Sequence, residues 1–467
     1  MDLINFIKEV ETKYNVKSIR VNGMEVWPFL RMLYFSAYGK SARNTTQKTR
    51  PSLGRKIKRK KNIFYGFFNL FRKYDYFVFS SGPISRVNMN DKYCDKYCDG
   101  IYKYYHPKIL FIETLQKKPH YRLNQVVTKR IISGELILFF SKLFFTINTD
   151  IEKEEIIKNI EEKFGICINY KKEIKFFLKQ IKALNFILRI YKPKIIFLSC
   201  YYCSFHRALL HAAHKHNIKT VEIQHGIINR AHPAYNVFVD LDKSFFPDYL
   251  LSFGEYVKLF FNKNNYFIKK DNILPIGSMY IDYINNEYKA SKETIEIFSN
   301  FRKKYKKIVA VSSSGVEDKL IDFLKKSSSL SKDILYIFVP RDVDKDYSGA
   351  RFPENIIILK DLNFYQIVKR GDFHSTVYST CALEAPVLGA PNILINIDNL
   401  AKKHYLSMLS NQDVTRFINT EEEFVATILK WDVKTREEIM NLHNKFYEKN
   451  YDKALKRALQ AIENSAR

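Results

Sequence analysis

Hydroxyl side chains are concentrated in the stretch "RGDFHSTVYSTCALEAPVLGAPNILIN", residues 370–396. We predict that "DFHSTV" (372–377) is a strand, that Tyr378 is a turn, and that Ser379 and Thr380 begin the helix "STCALEAPVLGA" (379–390). A helix N-terminus offers free N–H groups and a partial positive charge, and neighbouring hydroxyls add donors, so this place suits a phosphate. The alternative is that one of the two hydroxyls is an ordinary helix cap.

Other candidate ligands for the same phosphate compound lie close to this stretch or follow neighbouring strand patterns. Glu384 is four residues after Thr380 on the same predicted helix face, where it can accept hydrogen bonds from ribose hydroxyls. Arg341 lies at the end of "ILYIFVPRD" (334–342), after its apolar residues, and can make a charge-assisted contact with phosphate. Ser313 and Ser314 are the last two residues of "KKIVAVSSS" (306–314). Ligands bind outside the carboxyl ends of parallel strands, so we predict that these residues and Tyr378 line one nucleotide site.

A second set of polar residues follows the strand pattern "KTVEIQ" (219–224). The strand ends at Ile223 or Gln224, which places His225 at the edge of the sheet and lets Gly226 form a sharp turn. An imidazole whose pKa lies near neutrality can act as a general base. We therefore predict that His225 is catalytic, with Gln224 and Gly226 on the acceptor side; a purely structural histidine is the alternative.

Two further residues are candidates for the catalytic base. His232 follows in the same loop, "QHGIINRAHPAYN", and is the second choice among the histidines. The segment "NMNDKYCDKYCDG" supplies Asp91, Asp95 and Asp99, and Asp99, next to Gly100, is the preferred carboxylate.

The cysteines raise the question of a metal site. Cys94 and Cys98 are four residues apart and Cys200 and Cys203 enclose "CYYC", so a zinc site with four thiolates is an alternative to consider. Cys200, however, ends an apolar strand pattern with aromatic neighbours, and six scattered cysteines in 467 residues also suit no disulfide framework. We expect a reducing compartment, no metal and no other cofactor.

Two series of short apolar runs must position these residues. Continuous β-branched and aromatic runs separated by helical patterns indicate parallel strands that are buried on both faces. The runs are "YFVFSS" (76–81), "KILFIE" (108–113), "KIIFLSC" (194–200), "KTVEIQ" (219–224) and "DYLLSFG" (248–254), then "KKIVAVSSS" (306–314), "ILYIFVPRD" (334–342), "ENIIILKD" (354–361), "DFHSTV" (372–377) and "NILINI" (392–397). The sequence therefore predicts an α/β protein with two doubly wound domains.

The predicted domains follow from where each series begins and ends. Pro275 and Gly277 interrupt the pattern between the two series, which places the crossing near residue 280. We predict a helical N-terminal segment with a basic linker (1–74), a first α/β domain (75–280) with a helical insertion (114–193), a second α/β domain (281–430) and C-terminal helices (431–467).

The net charge of +28 predicts an anionic partner: nucleic acid, an acidic membrane face or a phosphorylated substrate. Residues 41–61 carry nine basic side chains and no acidic one, and apolar residues follow directly. Such a segment fits an anionic membrane surface, with a solvated linker as the alternative. The predicted membrane-facing residues are Lys56, Lys58, Arg59, Lys60 and Lys61.

Two segments, the N-terminus and the most apolar run, bear on where the protein is located in the cell. The first 23 residues carry charges throughout and lack the pattern of a signal peptide. The most apolar run, "LILFFSKLFFTI" (136–147), contains Lys142 and is too short to span a bilayer, so we expect a buried or interfacial helix. The predicted location is cytoplasmic, peripheral at the inner face of the cell membrane.

The stretches "YSTCALEAPVLGAPNILIN" and "VEIQHG", with "PDYLLSFGEY", "ILPIGS" and "FVPRD" as looser matches, resemble glycosyltransferases of the GT-B fold, most closely those of bacterial capsule and surface-polysaccharide biosynthesis. The resemblance covers about residues 75–420 in layout. It implies two Rossmann-like domains facing across a cleft, with the nucleotide sugar (CMP-, UDP- or GDP-linked) on the second domain, a glycan or lipid-linked acceptor on the first, and no metal requirement. By this resemblance Ser379, Thr380 and Glu384 belong to the donor site.

The chain departs from related transferases at one place, and alternatives remain. Sialyltransferases of this fold commonly carry a His-Pro pair where this chain has Val339-Pro340-Arg341, which leaves the donor open. A polyol-phosphate transferase of the teichoic-acid type is the alternative enzyme, and a basic nucleic-acid-binding protein or a non-catalytic scaffold is the alternative class. No nucleic-acid-binding motif, P-loop or suitably placed Asp-x-Asp motif is found, so we expect no nucleic-acid partner and no ATPase.

Overall fold

The computed structural model describes residues 3–41, 63–114, 119–143, 149–261, 265–342 and 345–465. It divides into two compact units, Met1–Ile276 with Asp452–Arg467, and Gly277–Tyr451. The predicted membrane-facing residues, Lys56, Lys58, Arg59, Lys60 and Lys61, lie outside the described residues.

The first unit is built on a sheet of seven parallel strands in the order β7-β6-β5-β4-β1-β2-β3. Their residues are mostly Ile, Phe, Leu and Val, buried on both faces, which is what a parallel sheet covered by helices requires. The strands are Tyr76–Ser80 (β1), Ile109–Glu113 (β2), Ile131–Ser133 (β3), Ile195–Ser199 (β4), Lys219–Ile223 (β5), Tyr249–Ser252 (β6) and Ile273–Pro275 (β7).

The second unit is built on six parallel strands in the order β10-β9-β8-β11-β12-β13. The strands are Lys307–Ser312 (β8), Ile334–Val339 (β9), Ile356–Ile357 (β10), Phe373–Thr376 (β11), Asn392–Ile395 (β12) and Thr415–Ile418 (β13). When the strands of each sheet are numbered separately in chain order, the first sheet read from its β3 edge and the second read from its β10 edge both begin 3-2-1-4-5-6. This is the Rossmann order. The predicted fold class, two Rossmann-like doubly wound domains of the GT-B type with helical additions, is confirmed.

The strand order fixes where a ligand can bind in each unit. Right-handed crossovers change direction beside the first strand, so the helices on either side of that point lie on opposite faces and a crevice opens at the carboxyl ends. This switch point lies between β1 and β4 in the first unit and between β8 and β11 in the second.

Helices connect the strands and extend the first unit. Those of the first unit are Leu3–Lys13, Trp27–Ser41, Asp99–Tyr105, Gly134–Leu143, Glu154–Phe164, Tyr170–Tyr191 and Ser204–Lys215. Those of the second are Met279–Asn286, Lys292–Lys304, Glu317–Leu330, Phe364–Val368, Cys381–Glu384, Leu400–Tyr405, Glu421–Lys430 and Arg436–Leu442, and a last helix, Tyr451–Asn464, returns the chain to the first unit. No helix in the described part of the chain is both long and apolar enough to cross a membrane.

The N-terminal helices hold the loop that follows β5. Arg31 is fully buried, and its Nε lies 2.7 Å from Glu11 Oε1. The same guanidinium donates to the carbonyl oxygens of Pro233 (3.0 Å) and Asn236 (2.8 Å). A buried ion pair is favourable only with such additional hydrogen bonds, so this contact fixes the loop that carries His232.

The C-terminal helix closes the amino edge of the first sheet. Lys219, the first residue of β5, donates through Nζ to the carbonyl oxygens of Ile462 (2.7 Å) and Ser465 (2.7 Å). The hydroxyl of Tyr76, the first residue of β1, donates to Glu463 Oε1 at 3.0 Å. A cation at a helix C-terminus is stabilising, and the opposite edge of the sheet stays available for a ligand.

Outside the two parallel sheets, the described residues include five short antiparallel strands that the sequence analysis did not predict: Arg20–Val21, Met24–Glu25, Arg86–Met89, Lys92–Asp95 and Ile151–Glu152. Within the two parallel sheets it missed three strands. β3 lies inside segment 114–193, expected to be helical, and is the edge strand of the first sheet. β7 and β13 are also edge strands and have only three and four residues. Edge strands need only one hydrogen-bonded neighbour and can be short, so their apolar signal is weak. The run 136–147 contributes the helix Gly134–Leu143, which is partly buried, as expected.

Candidate functional site

The loops after β8 and β9 are joined at the switch point of the second unit. Ser313 donates its N–H to the carbonyl oxygen of Val339 (3.0 Å), and its Oγ accepts the N–H of Arg341 (2.8 Å). These bonds give Ser313 a structural role and fix the backbone of Arg341. The Arg341 side chain is exposed, and its guanidinium pairs with no carboxylate among the described residues.

Ser314 has the polar atom in this crevice that lacks a partner. Its side chain is 8% exposed, and its buried Oγ has no hydrogen-bond partner among the described residues. A buried hydroxyl without a partner costs roughly 1–3 kcal/mol, so such a group in a ligand crevice points to a ligand that completes it.

Gly315 and Tyr378 bring the loops after β8 and β11 into contact. A Cβ at Gly315 would lie 2.0 Å from the Tyr378 hydroxyl, so the position of that hydroxyl depends on glycine. The Tyr378 ring stacks on His404 with 5.2 Å between ring centroids. The tyrosine is therefore held over the loop that contains Ser314.

A buried polar network lies beneath this crevice and was missed by the sequence analysis. His374 Nδ1 lies 2.7 Å from Asn392 Oδ1, and His374 Nε2 lies 2.7 Å from Ser312 Oγ. Burial lowers the pKa of His374 to about 4, so the ring is neutral. The neutral ring then donates from Nδ1 and accepts the Ser312 hydroxyl at Nε2. A histidine inside a buried strand pattern was the available signal.

The helix that begins after Ser379 and Thr380 is shorter than expected. It is the single turn Cys381–Glu384, and Thr380 makes no side-chain cap. Pro386 lacks an N–H and Gly389 has φ +82°, so the pattern ends in a 3₁₀ turn. A longer helix over 379–390 was a wrong prediction.

The hydroxyl pair itself lies at this turn with limited capping bonds. Ser379 Oγ accepts the N–H of Cys381 at 3.4 Å, a long bond, and the Ser379 carbonyl oxygen accepts the Tyr405 hydroxyl. Glu384 is buried at the end of the turn. The donor-binding roles of Ser379, Thr380 and Glu384 stay predictions.

His225 lies at the carboxyl edge of the first sheet, where it was expected. Its Nε2 lies 3.2 Å from the Tyr202 hydroxyl, and its buried Nδ1 has no partner among the described residues. Burial and then nearby His206 lower the pKa of His225 to about 4, against the near-neutral value assumed from sequence. The imidazole is therefore a neutral, weak base at pH 7.

Gln224 and Gly226 support the loop that carries His225. Gln224 Oε1 accepts the N–H of Phe253 (2.7 Å), and its Nε2 donates to the carbonyl oxygen of Gly226 (2.8 Å). These bonds give the Gln224 amide a structural role between β5 and β6. The chain bends at Gly226, but its φ is not positive and a Cβ there would contact no described residue, so the bend does not require glycine.

The other two base candidates have different surroundings. His232 stands beside Tyr202, with ring centroids 5.3 Å apart, and burial lowers its pKa to about 3. Asp99 is fully buried: its Oδ2 accepts the N–H of Asp95 at 2.9 Å, and Thr128 donates to its Oδ1. Burial raises the pKa of Asp99 to about 6. Asp99 is therefore enclosed by bonds within the fold, whereas His232 shares a cluster with His225, and the catalytic roles of both residues stay predictions.

Glu222 is the residue of the first unit that sequence reasoning missed. Its Oε1 accepts the N–H of Tyr201 (3.1 Å) and the hydroxyl of Tyr235 (2.9 Å), while its buried Oε2 has no partner among the described residues. Burial raises the pKa of Glu222 to about 8. An acidic residue inside the pattern "KTVEIQ" was the signal. No group of three or more His, Cys, Asp and Glu side chains in the described ranges is arranged to hold a metal ion.

No protein-family model matches this chain, and no curated protein matches it in sequence. Solved structures with similar folds include a UDP-N-acetylglucosamine 2-epimerase (13% identity, 84% of this chain and 96% of that one, TM-score 0.48). The enzyme of the same name from Neisseria meningitidis bound to UDP-GlcNAc (12%, 84% and 99%, 0.46) and CalG4, the calicheamicin glycosyltransferase (10%, 84% and 98%, 0.49), are others. The fold assignment rests on the strand order of the two sheets themselves.

Proposed function

We propose that this protein is a glycosyltransferase that moves a sugar from a nucleotide-activated donor to a growing surface polysaccharide. The observation that carries the proposal is the unpartnered, buried hydroxyl of Ser314 at the switch point of the second sheet. The residues on either side of Ser314 contact the other loops: Ser313 accepts the Arg341 N–H, and Gly315 lies against Tyr378. This placement supports an anionic, hydrogen-bonding ligand, as a nucleoside diphosphate would be.

Residues of different chemistry have different roles in the proposed donor site. The Ser314 hydroxyl, which has no partner among the described residues, donates a hydrogen bond to a phosphate oxygen. Arg341, with its exposed guanidinium, adds the charge that a diphosphate leaving group needs. Ser379 and Thr380 supply further hydroxyls, and Glu384 receives the ribose hydroxyls.

In the proposed chemistry His225 is the base for an inverting transfer. A hydroxyl oxygen of the acceptor forms a bond to the anomeric carbon while the bond from that carbon to the donor phosphate oxygen breaks. The proton of the hydroxyl moves to the lone pair of the neutral imidazole, and the nucleotide leaves with the electron pair. Because the pKa of His225 is lowered to about 4, the lone pair is available throughout the physiological range.

The proposal includes a location at the inner face of the cell membrane. Nine basic and no acidic residues in 41–61 support attraction to anionic lipid, each worth about 1 kcal/mol near the surface. Replacing Lys56, Lys58, Arg59, Lys60 and Lys61 with Gln is expected to weaken vesicle binding, and added salt is expected to have the same effect.

The experiment that tests the reaction is a donor panel on the intact chain. Calorimetry with CMP, UDP, GDP and CDP compounds identifies the nucleotide, and product analysis with candidate glycans then shows whether a sugar is transferred and with which stereochemistry. The double variant Ser379→Ala with Thr380→Ala is expected to weaken nucleotide binding by roughly 1–3 kcal/mol.

Three outcomes would overturn the proposal. Transfer of a polyol phosphate from a CDP compound would identify a teichoic-acid-type transferase. Tight, salt-sensitive binding of DNA or RNA with no nucleotide binding would identify a nucleic-acid-binding protein. Normal folding with no affinity for any nucleotide or nucleic acid would favour a scaffold.

A further inference from the structure

An apolar groove of about 300 Å³ lies in the first unit, away from the carboxyl edge of the sheet. Its floor is one face of β1 and β2, formed by alternate residues such as Phe77 and Ile112. Its walls are the helices Gly134–Leu143 and Tyr170–Tyr191. Tyr191 is the one lining residue with a polar side-chain atom, and its hydroxyl donates to the Leu70 carbonyl oxygen at 2.5 Å. Water needs several polar partners, so this groove suits hydrocarbon.

Large apolar side chains at the rim of the groove face solvent. Phe140 and Leu143 on one helix and Phe186 and Ile190 on the other both line the groove and are exposed. Next to Leu70, Phe68 is 85% exposed and Phe71 is 74% exposed. A contiguous exposed surface of this kind marks a protein or membrane contact.

The charged residues around the groove indicate whether this surface contacts a protein or a membrane. Segments 63–73, 136–143 and 174–192 contain no acidic residue. Their eight basic residues are Arg72, Lys73, Lys142, Lys175, Lys179, Lys182, Arg189 and Lys192. The acids of the two wall helices, Glu135 and Glu173, lie in their first turns. Aromatic residues beside this excess of cations match the anionic headgroups and acyl chains of a bilayer.

We infer that this surface inserts into an anionic bilayer and that the groove binds an acyl chain of a membrane lipid. Phe68 and Phe71 enter the headgroup boundary, and Lys182 and Arg189 remain at the level of the phosphates. The inference rests on the proposed membrane location and is independent of the transfer reaction, because none of these residues belongs to the proposed donor or base sites.

The first arm of the test measures binding to vesicles of phosphatidylglycerol and phosphatidylcholine. The double variant Phe68→Ser with Phe71→Ser is expected to lower vesicle affinity about 10- to 100-fold, because each phenylalanine loses its burial in lipid. Ile295→Ser, at an exposed apolar residue of the second unit, is the matched control and is expected to change nothing. Equal loss in both variants, or none in either, contradicts the assignment of this surface.

The second arm of the test measures whether acyl chains enter the groove. Both native tryptophans, Trp27 and Trp431, are buried, so a tryptophan at Phe140 reports its own surroundings. In Phe140→Trp, vesicles brominated along the acyl chains are expected to quench the new emission, whereas Ile295→Trp stays unquenched. Emission already shifted to the blue without vesicles, and unquenched on binding, would show that another segment of this chain covers the groove. Vesicle binding without quenching would overturn the groove assignment and leave membrane binding through the basic residues intact.

Discussion

Substituting a buried hydroxyl that has no hydrogen-bond partner in the fold tests ligand binding without removing a bond that stabilises the protein. Substituting a hydroxyl that is already bonded within the fold changes stability instead. Ser375 and Ser314 are both buried serines of the second unit. Ser375 Oγ donates to the Ile393 carbonyl oxygen at 2.7 Å, whereas Ser314 Oγ has no partner among the described residues. Removing the first hydroxyl takes a bond away from the fold, and removing the second takes none.

Ser314→Ala is therefore expected to weaken nucleotide binding by about 1–2 kcal/mol without loss of stability. The unfolding midpoint of the ligand-free protein should stay constant or rise, because a desolvated hydroxyl is removed. Ser375→Ala is the matched control, with the opposite expectation: lower stability and unchanged nucleotide affinity. Calorimetry and denaturant unfolding of both variants measure the two quantities, and a destabilised Ser314→Ala with normal affinity would contradict the ligand role.

His225→Asn is expected to lower turnover by about 10²- to 10⁴-fold with little change in donor affinity. Because burial lowers the pKa of His225 to about 4, protonation should abolish the base function only near pH 4, so turnover should fall there and not near 6.5. The pH profile of kcat/KM with the paired donor affinity provides the measurement. Near-normal turnover in the variant would indicate that Asp99 or His232 is the base, and lost donor binding would make His225 a phosphate ligand.

At the scale of elements, the apolar runs predicted most strands, because strands buried on both faces need continuous apolar residues. All ten runs became strands within a few residues of their predicted ends. In the described part of the two parallel sheets the short edge strands β3, β7 and β13 were missed, and so were short antiparallel strands outside them, such as Arg86–Met89 and Lys92–Asp95. The pattern also placed His225 and the Ser312–Gly315 loop at carboxyl edges.

The sequence could not predict which hydrogen-bond partner each polar atom has in the folded protein. Ser313 and Gln224 looked available for a ligand, yet their side chains bond to Arg341 and Phe253. The partner of Ser312 is His374, 62 residues away in the chain. Such long-range pairs depend on how neighbouring strands align, which no local pattern reports.

The loops after β8 and β11 should act as one element because of a single close approach. Gly315→Ala places a Cβ 2.0 Å from the Tyr378 hydroxyl, so the ring must leave its stack on His404, and nucleotide affinity is expected to fall. Tyr378→Phe removes the clashing oxygen and leaves the next ring atom at 3.2 Å. The double variant is therefore expected to bind nucleotide better than Gly315→Ala alone. Affinities of the four proteins form a double-mutant cycle, and strict additivity would show that the loops are independent.

At the scale of the whole molecule, the two units bury different sets of titrating groups. Burial lowers the pKa of His374 to about 4 and that of His443 to about 3 in the second unit. The first unit holds His225 and His232 with similarly lowered pKa values, but also Glu222, whose pKa burial raises to about 8. The signs of these shifts differ, so the two units should respond differently to pH.

The sign for each group follows from which state binds more protons. Between the folded pKa of a buried histidine and about 6.5, the unfolded chain is protonated and the folded one is not, so stability is lost as the pH falls below about 6.5. For Glu222, between about 4.5 and 8, the folded chain keeps the proton that the unfolded chain has released. Its contribution is present at low pH and is lost as the pH rises towards 8.

The stability of the first unit should therefore pass through a maximum and decline between pH 6.5 and 8, whereas that of the second should level off above pH 6.5. The two tryptophans report the units separately, because Trp27 is buried in the first and Trp431 in the second. Urea unfolding of Trp431→Phe followed through Trp27, and of Trp27→Phe followed through Trp431, measures each curve. Glu222→Gln should reduce the decline, since a neutral amide has no proton to release. The remainder is expected from His206, whose pKa nearby Cys203 raises despite burial. A decline that is unchanged in this variant, or one of equal size at Trp431, would show that the burial of Glu222 does not contribute to the alkaline limit of the first unit.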